Sequence, residues 1–158
     1  MFNICQFAVE GRRVLDLFGG TGQLGIEAMS RGAAEVDIVD HSREAIALIR
    51  ENVRTVGLPV RVRQADALAF LRDSAPYDLI FLDPPYASGL AEGALEAIKA
   101  FDKLRDGGII LCETGAAASL PELEAPYARL REYRYGKVKL TTYTKRAAEA
   151  PRGERDYN

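Results

Sequence analysis

The stretch RVLDLFGGTGQLG at residues 13–25 joins an aliphatic run, an aspartate and a glycine-rich segment. The aliphatic residues within 13–17 predict a buried β-strand, and the helical spacing that begins at Leu24 predicts an α-helix. Glycines between a strand and a helix allow a tight turn and leave helix N–H groups facing a ligand. The stretch therefore predicts a strand, a ligand-binding loop and a helix, which together form the first unit of an α/β sheet.

The same alternation continues along the chain. Further strand patterns lie at 36–39, 60–62, 79–82 and 109–112, and helical spacing is found at 24–31, 43–56 and 90–101. Two alternating stretches, 128–134 and 137–143, predict an antiparallel hairpin that turns at Gly136. The fold class is therefore α/β: a doubly wound, mostly parallel, seven-stranded sheet with a C-terminal antiparallel hairpin. We expect one domain over residues 1–146, a flexible tail over 147–158, and a ligand at the carboxyl ends of the strands.

Length and composition exclude several classes of protein. The 158 residues suit one domain and leave no room for a two-domain dehydrogenase. The longest apolar runs have five residues, so no membrane span or membrane partner is expected. Residues 1–9 lack the basic segment of a signal peptide. Cys5 and Cys112 form no CxxC pair, so neither a disulfide framework nor a metal site is expected, and we predict a cytoplasmic location.

Charge is unevenly distributed along the chain. The net charge is −2, but residues 129–146 hold seven basic residues and one acid. Such local asymmetry matters more to a polyanion than the total charge does. Two interpretations stay open: the basic window contacts RNA, or it is the solvated face of an edge hairpin, with Lys137 and Lys139 on that face.

The glycine loop is consistent with more than one nucleotide ligand. Gly20-x-Gly22-x-x-Gly25 satisfies the dinucleotide pattern, and Asp40 follows 20 residues after Gly20, where a carboxylate can accept the ribose hydroxyls. This spacing does not separate NAD from other adenosine cofactors. Asp16 favours a cofactor other than NAD, because a carboxylate at the end of the first strand repels a pyrophosphate and attracts an ammonium or sulfonium group.

The tetrapeptide DPPY at residues 83–86 follows the predicted strand 79–82. Prolines have no N–H, so the local carbonyls and the Asp83 carboxylate remain as acceptors. Acceptors that bind the hydrogens of an exocyclic base amine orient its delocalised lone pair toward an electrophile. Tyr86 is suited to stack on an unpaired base. The alternative is a strained turn at a strand end with an incidental tyrosine.

Both motifs resemble those of class I S-adenosylmethionine-dependent methyltransferases, and DPPY resembles the D/N-P-P-Y/F signature of enzymes that methylate amino nitrogens of nucleic-acid bases or glutamine. The resemblance implies a Rossmann-like fold and S-adenosyl-L-methionine as cofactor. The catalytic residues that it implies are Asp83, Pro84, Pro85 and Tyr86. The cofactor-binding residues that it implies are Asp16, Phe18, Gly20, Gly22, Asp40, His41, Asp66 and Ala67. Asp66 has an alternative role as the cap of the next helix, and His41 as a solvent-facing side chain.

Two further stretches, GIEAMSRGA at 25–33 and Cys112-Glu113, make the chain similar to RsmD, a bacterial family of 16S ribosomal RNA guanine-N2 methyltransferases. The resemblance implies methylation of the N2 amine of one guanine, with 16S rRNA or the small ribosomal subunit as partner, and we expect a monomer. Members of that family usually carry a basic segment ahead of the position where this sequence starts. Glu113 is expected near the target base, whereas Cys112 is expected to pack in the core.

Two alternative functions stay open. The DPPY tetrapeptide also resembles that of enzymes that methylate N6 of adenine or N4 of cytosine in DNA or RNA. A chain of 158 residues leaves little room for a DNA-recognition region. The other alternative is a non-catalytic or NAD-binding Rossmann module.

Overall fold

The computed structural model describes residues 7–85 and 88–147. Within them the strands are β1 (Arg13–Leu17), β2 (Glu35–Asp40), β3 (Arg61–Gln64), β4 (Tyr77–Leu82), β5 (Leu104–Gly115), β6 (Tyr127–Tyr135) and β7 (Val138–Lys145). The helices are α1 (Gln23–Ser30), α2 (Arg43–Val56), α3 (Ala67–Asp73) and α4 (Leu90–Phe101). Residues 148–158, most of the predicted tail, lie outside the described part.

The seven strands form one sheet in the order β3-β2-β1-β4-β5-β7-β6. Strands β1 to β5 pair in parallel, and β7 pairs antiparallel to both β5 and β6. The predicted doubly wound sheet with a terminal hairpin is confirmed. Strand order reverses between β1 and β4, and ligands of open α/β sheets bind at such a reversal, outside the carboxyl ends of the strands.

Apolar side chains cover both faces of the sheet. Leu15 and Leu17 belong to the cluster that includes α3 and α4, whereas Val14 belongs to the cluster that includes α1 and α2. Since both faces are buried, the central strands are apolar along most of their length, with 0% exposure for Val14, Leu15 and Leu17.

Local signals explain most helix boundaries. Ser42 caps α2 by accepting a hydrogen bond from the Ala45 N–H at 3.2 Å, and Gly57 ends that helix in the left-handed conformation. The alternative role of Asp66 as a helix cap was the one indication of α3 in the sequence, and the bounds of this helix were not predicted. This helix has seven residues, too few to give a clear helical period, and its position depends on the Asp66 cap and on packing against α4.

The terminal hairpin differs from its prediction at one residue. Lys139 was expected on a solvated face but is 4% exposed. Its Nζ donates a hydrogen bond to the Ala118 carbonyl and lies 3.8 Å from Glu132. The prediction was wrong because the connection between β5 and β6 folds over this face and places Leu120 and Leu123 in the core. No helix in residues 7–85 and 88–147 has the length and apolar character of a membrane span.

Candidate functional site

Asp16 joins the end of β1 to the first turn of α1. Its carboxylate is 2% exposed and accepts a hydrogen bond from the Gly25 N–H at 3.0 Å. This bond requires α1 to lie close to β2, and a Cβ added to Gly25 would lie only 2.6 Å from Ile38 Cγ1. Asp16 therefore lies beneath the glycine loop rather than at its surface.

The other glycines of the loop have separate roles. Gly20 is exposed, and no atom lies within 4 Å of the position that its Cβ would occupy. Its N–H donates to Asp40 Oδ2 at 3.3 Å, while the Ser42 N–H donates to Asp40 Oδ1 at 2.9 Å. Gly22 is buried at the N-cap of α1, against Ile49. Gly20 thus leaves space for a ligand, and Gly22 shapes the turn.

A cavity of about 410 Å³ opens beside this loop, and we call it the apolar cavity. It lies between the ends of β1 and β2 and the first turns of α3 and α4. Its lining includes Phe18, Val39, Asp40, His41, Asp66 and Leu90. Its volume falls in the range of about 300–1,000 Å³ that is typical of small-molecule sites.

A second cavity of about 470 Å³ adjoins the first, and we call it the acidic cleft. It shares Phe18, Asp40 and His41 with the apolar cavity and adds Gly20, Asp83, Pro84, Pro85 and Glu113. Leu82 pairs with Cys112, so the next residues, Asp83 just after β4 and Glu113 within β5, lie side by side. The two cavities together form a continuous surface across the strand reversal.

Carboxylates dominate the electrostatics of this surface. Burial, together with the nearby charges of Asp83 and Asp40, raises the pKa of Asp16 to about 7, against the opposing effect of the Gly25 N–H bond. Desolvation and the charge of Glu113 raise the pKa of Asp83 to about 6. Among the described residues, no lysine or arginine lines either cavity. The surface is therefore suited to a cation and unsuited to a pyrophosphate.

The structure brings most of the predicted site residues together. Asp16 and Gly22 line neither cavity, and Tyr86 lies outside the described residues. Asp66 lines the apolar cavity and also caps α3, where its Oδ2 accepts from the Ala69 N–H at 3.0 Å, so its alternative role is present as well. The His41 side chain is 74% exposed at the rim.

Two exposed apolar residues of the apolar cavity were not predicted. Leu68 and Leu90 stand in the first turns of α3 and α4 and are 48% and 41% exposed. Leu68 directly follows Asp66 and Ala67, which were predicted to bind the cofactor, whereas nothing near Leu90 in the sequence indicates a binding site. The sheet order brings the two helix ends together. Phe18 adopts the left-handed conformation with φ 66°, which is uncommon for a bulky residue, and it lines both cavities.

Comparison with known proteins gives consistent results. The profile of the family described as conserved hypothetical protein 95 matches residues 1–144. YlbH of Bacillus subtilis is 34% identical over 152 residues, covering 92% of this chain and 83% of its own length. Ribosomal RNA small subunit methyltransferase D of Escherichia coli is 30% identical over 149 residues, covering 93% of this chain and 75% of its own length.

Structural comparison agrees with these matches. The solved structure of YhhF from Escherichia coli superposes with a TM-score of 0.82 at 29% identity, covering 89% of this chain and 81% of that one. The two chains therefore share a fold. The chain is a member of the RsmD family, whose profile is described as conserved hypothetical protein 95.

Proposed function

We propose that the protein methylates the N2 amine of a guanine in 16S ribosomal RNA, using S-adenosylmethionine. The observation that carries this proposal is the acidic surface at the carboxyl ends of β1, β2, β4 and β5. It combines ligand-sized cavities with Asp83-Pro84-Pro85 at its wall. We assign the activity to a single domain over residues 1–146, and a ribosomal substrate implies a cytoplasmic location.

The residues of the two cavities fit the proposed cofactor. The open space at Gly20 accommodates a ligand close to the backbone, and Asp40 has acceptors for ribose hydroxyls. Leu68 and Leu90 offer apolar surface for a base, with Asp66 nearby as an acceptor. When bound, S-adenosylmethionine supplies an electrophilic methyl group on a positively charged sulfur. In its ionised form, the buried Asp16 carboxylate favours that positive charge through space.

Asp83 is the residue that we assign to the target amine. Its side chain forms no hydrogen bond or ion pair with the rest of residues 7–85 and 88–147, so its oxygens are free to accept. With a pKa of about 6, it is mainly a carboxylate at neutral pH. Pro84 is buried behind it and contributes no competing N–H donor. Binding the amine hydrogens orients the lone pair, which is catalysis by positioning and electrostatics. Stacking of the base on Tyr86 stays a prediction from sequence.

The RNA substrate is supported by the named relatives. The RsmD protein of Escherichia coli carries the name of a small-subunit rRNA methyltransferase. The acidic lining disfavours the alternative NAD-binding module, because a pyrophosphate would face Asp40, Asp83 and Glu113 without a cation.

The test uses small ribosomal subunits from an Escherichia coli strain that lacks its own RsmD. The purified protein is incubated with them and S-adenosylmethionine, and the nucleosides are analysed by mass spectrometry. We expect new N2-methylguanosine. Asp83→Ala should lower kcat by about 100-fold, because it removes an acceptor used in the transition state. S-adenosylhomocysteine should still bind to the variant in calorimetry.

Asp73→Ala is the matched control, since this exposed carboxylate at the end of α3 lines neither cavity. It should keep the wild-type rate. Full activity of Asp83→Ala would contradict the proposed role of Asp83. A methylated adenine or cytosine, in place of guanine, would contradict the proposed substrate.

A further inference from the structure

We propose that Glu113 selects the base to be methylated, by accepting a hydrogen bond from the ring N1–H of guanine while Asp83 holds the adjacent amine. This inference rests on the proposed function and assigns a specificity-determining residue to the same site. Its basis is the position of two free carboxylates along the wall of the cleft.

The two carboxylates are adjacent because of strand register. Leu82 of β4 pairs with Cys112 of β5, and Asp83 and Glu113 are the next residues. Neighbouring strands lie about 4.8 Å apart, so the two side chains start from adjacent positions. Both line the acidic cleft. Like Asp83, the Glu113 side chain forms no hydrogen bond or ion pair within residues 7–85 and 88–147.

Two adjacent acceptors match only one of the candidate bases. An ionised carboxylate accepts hydrogen bonds and cannot donate them. Guanine presents the N2 amine and N1–H side by side, which are both donors. In adenine and cytosine, the ring nitrogen beside the amine carries a lone pair, which would face the Glu113 carboxylate without a hydrogen. Glu113 therefore attracts guanine and also repels the two alternative substrates.

The experiment uses small subunits reconstituted from 16S rRNA that carries either guanine or 2-aminopurine at the methylated position. 2-Aminopurine keeps the 2-amine, but its N1 is a lone pair and it lacks O6. Wild-type protein should prefer guanine by about 100-fold in kcat/KM, the size expected for a bidentate base contact. In Glu113→Gln the amide can donate to the N1 lone pair, and the preference should fall below about tenfold. Glu96→Gln, on the exposed surface of α4, should keep the wild-type preference.

A second measurement does not depend on methyl transfer. 2-Aminopurine fluoresces more strongly when it leaves the base stack, so its signal reports binding of the analogue in the cleft. Glu113→Gln should bind the analogue-containing subunits more tightly than the wild type does.

The outcomes separate this inference from the proposed function. If wild-type protein methylates guanine and folded Glu113→Gln keeps the full preference, the inference is overturned and the proposed function stands. If wild-type protein does not methylate guanine, both are overturned. Thermal melting and S-adenosylhomocysteine binding establish that each variant is folded. If Glu113→Gln does not fold, the wild-type comparison decides, and equal kcat/KM for guanine and 2-aminopurine overturns the inference.

Discussion

Asp16 is a buried carboxylate whose ionisation is costly to the fold. Its carboxylate is buried beneath the loop and accepts one backbone hydrogen bond, from Gly25. Burial disfavours the charged form, so the pKa rises from its ordinary value of 3.8 to about 7. Protonated Asp16 is the form that the folded state prefers, whereas a cationic ligand prefers the ionised form.

The pH dependence of stability follows from this shift. A group whose pKa is higher in the folded state stabilises that state fully below pH 3.8, and this contribution is lost as the pH rises through about 7. Asp16→Asn cannot ionise. Its free energy of unfolding, relative to wild type, should therefore increase between pH 4 and pH 7 by about 2–4 kcal/mol and then stay constant.

Urea unfolding at pH 5 and pH 8 measures this difference, and calorimetry should show weaker S-adenosylmethionine binding by the variant. A difference in stability that is equal at both pH values would contradict the assigned ionisation of Asp16.

The contact between α1 and β2 sets the shape of the glycine loop at the scale of secondary-structure elements. A Cβ on Gly25 would approach Ile38 Cγ1 to 2.6 Å and Cδ1 to 2.8 Å. Glycine here permits close packing of helix on strand, which places the Gly25 N–H against Asp16. The geometry of the glycine loop therefore depends on the absence of a side chain at Gly25.

Gly25→Ala should lower the free energy of unfolding by about 1–3 kcal/mol, because the added methyl overpacks the contact with Ile38. Gly93→Ala is the matched control in α4, where no atom lies within 4 Å of the new Cβ. That control should gain about 0.5–1 kcal/mol from the reduced flexibility of the unfolded chain. Chemical denaturation of both variants measures the difference, and equal stability would contradict the packing role of Gly25.

Charge separates the molecule into two regions. The carboxyl ends of the central strands carry Asp16, Asp40, Asp83 and Glu113 around the cavities. In the basic window, Lys139 is buried, and Arg129 and Lys145 form ion pairs with acidic residues. Arg131, Arg134, Lys137 and Arg146 are exposed, and their side chains form no ion pair with the described residues. The positive charge available to RNA phosphates is therefore smaller than the net charge of +6 that the sequence window carries.

The double variant Arg131→Gln, Arg134→Gln should weaken binding to small subunits and lower the slope of log affinity against log salt by about 2, since two phosphate contacts are lost. Arg50→Gln, Arg54→Gln on the exposed face of α2 is the matched control with the same change in charge. Filter binding at several salt concentrations measures the slopes. If both double variants give the same slope, the edge strand β6 does not contact RNA.

The sequence by itself determined the fold class, the bounds of β1, α2 and α4, and the positions of the glycine loop and the DPP segment. These features depend on local properties, namely hydrophobic period, turn chemistry and the spacing of strand ends. The bounds of short α3 were not predicted, because seven residues give too weak a periodic signal.

Only the tertiary structure decided which side chains meet. The reversal of strand order brings Asp83 and Glu113 beside Asp40, which precedes them by more than forty residues. The covering connection between β5 and β6 buries Lys139, and helix packing places Leu68 near Leu90. The physical reason is that burial and long-range contact depend on sheet order and layer packing, which no local pattern of residues encodes.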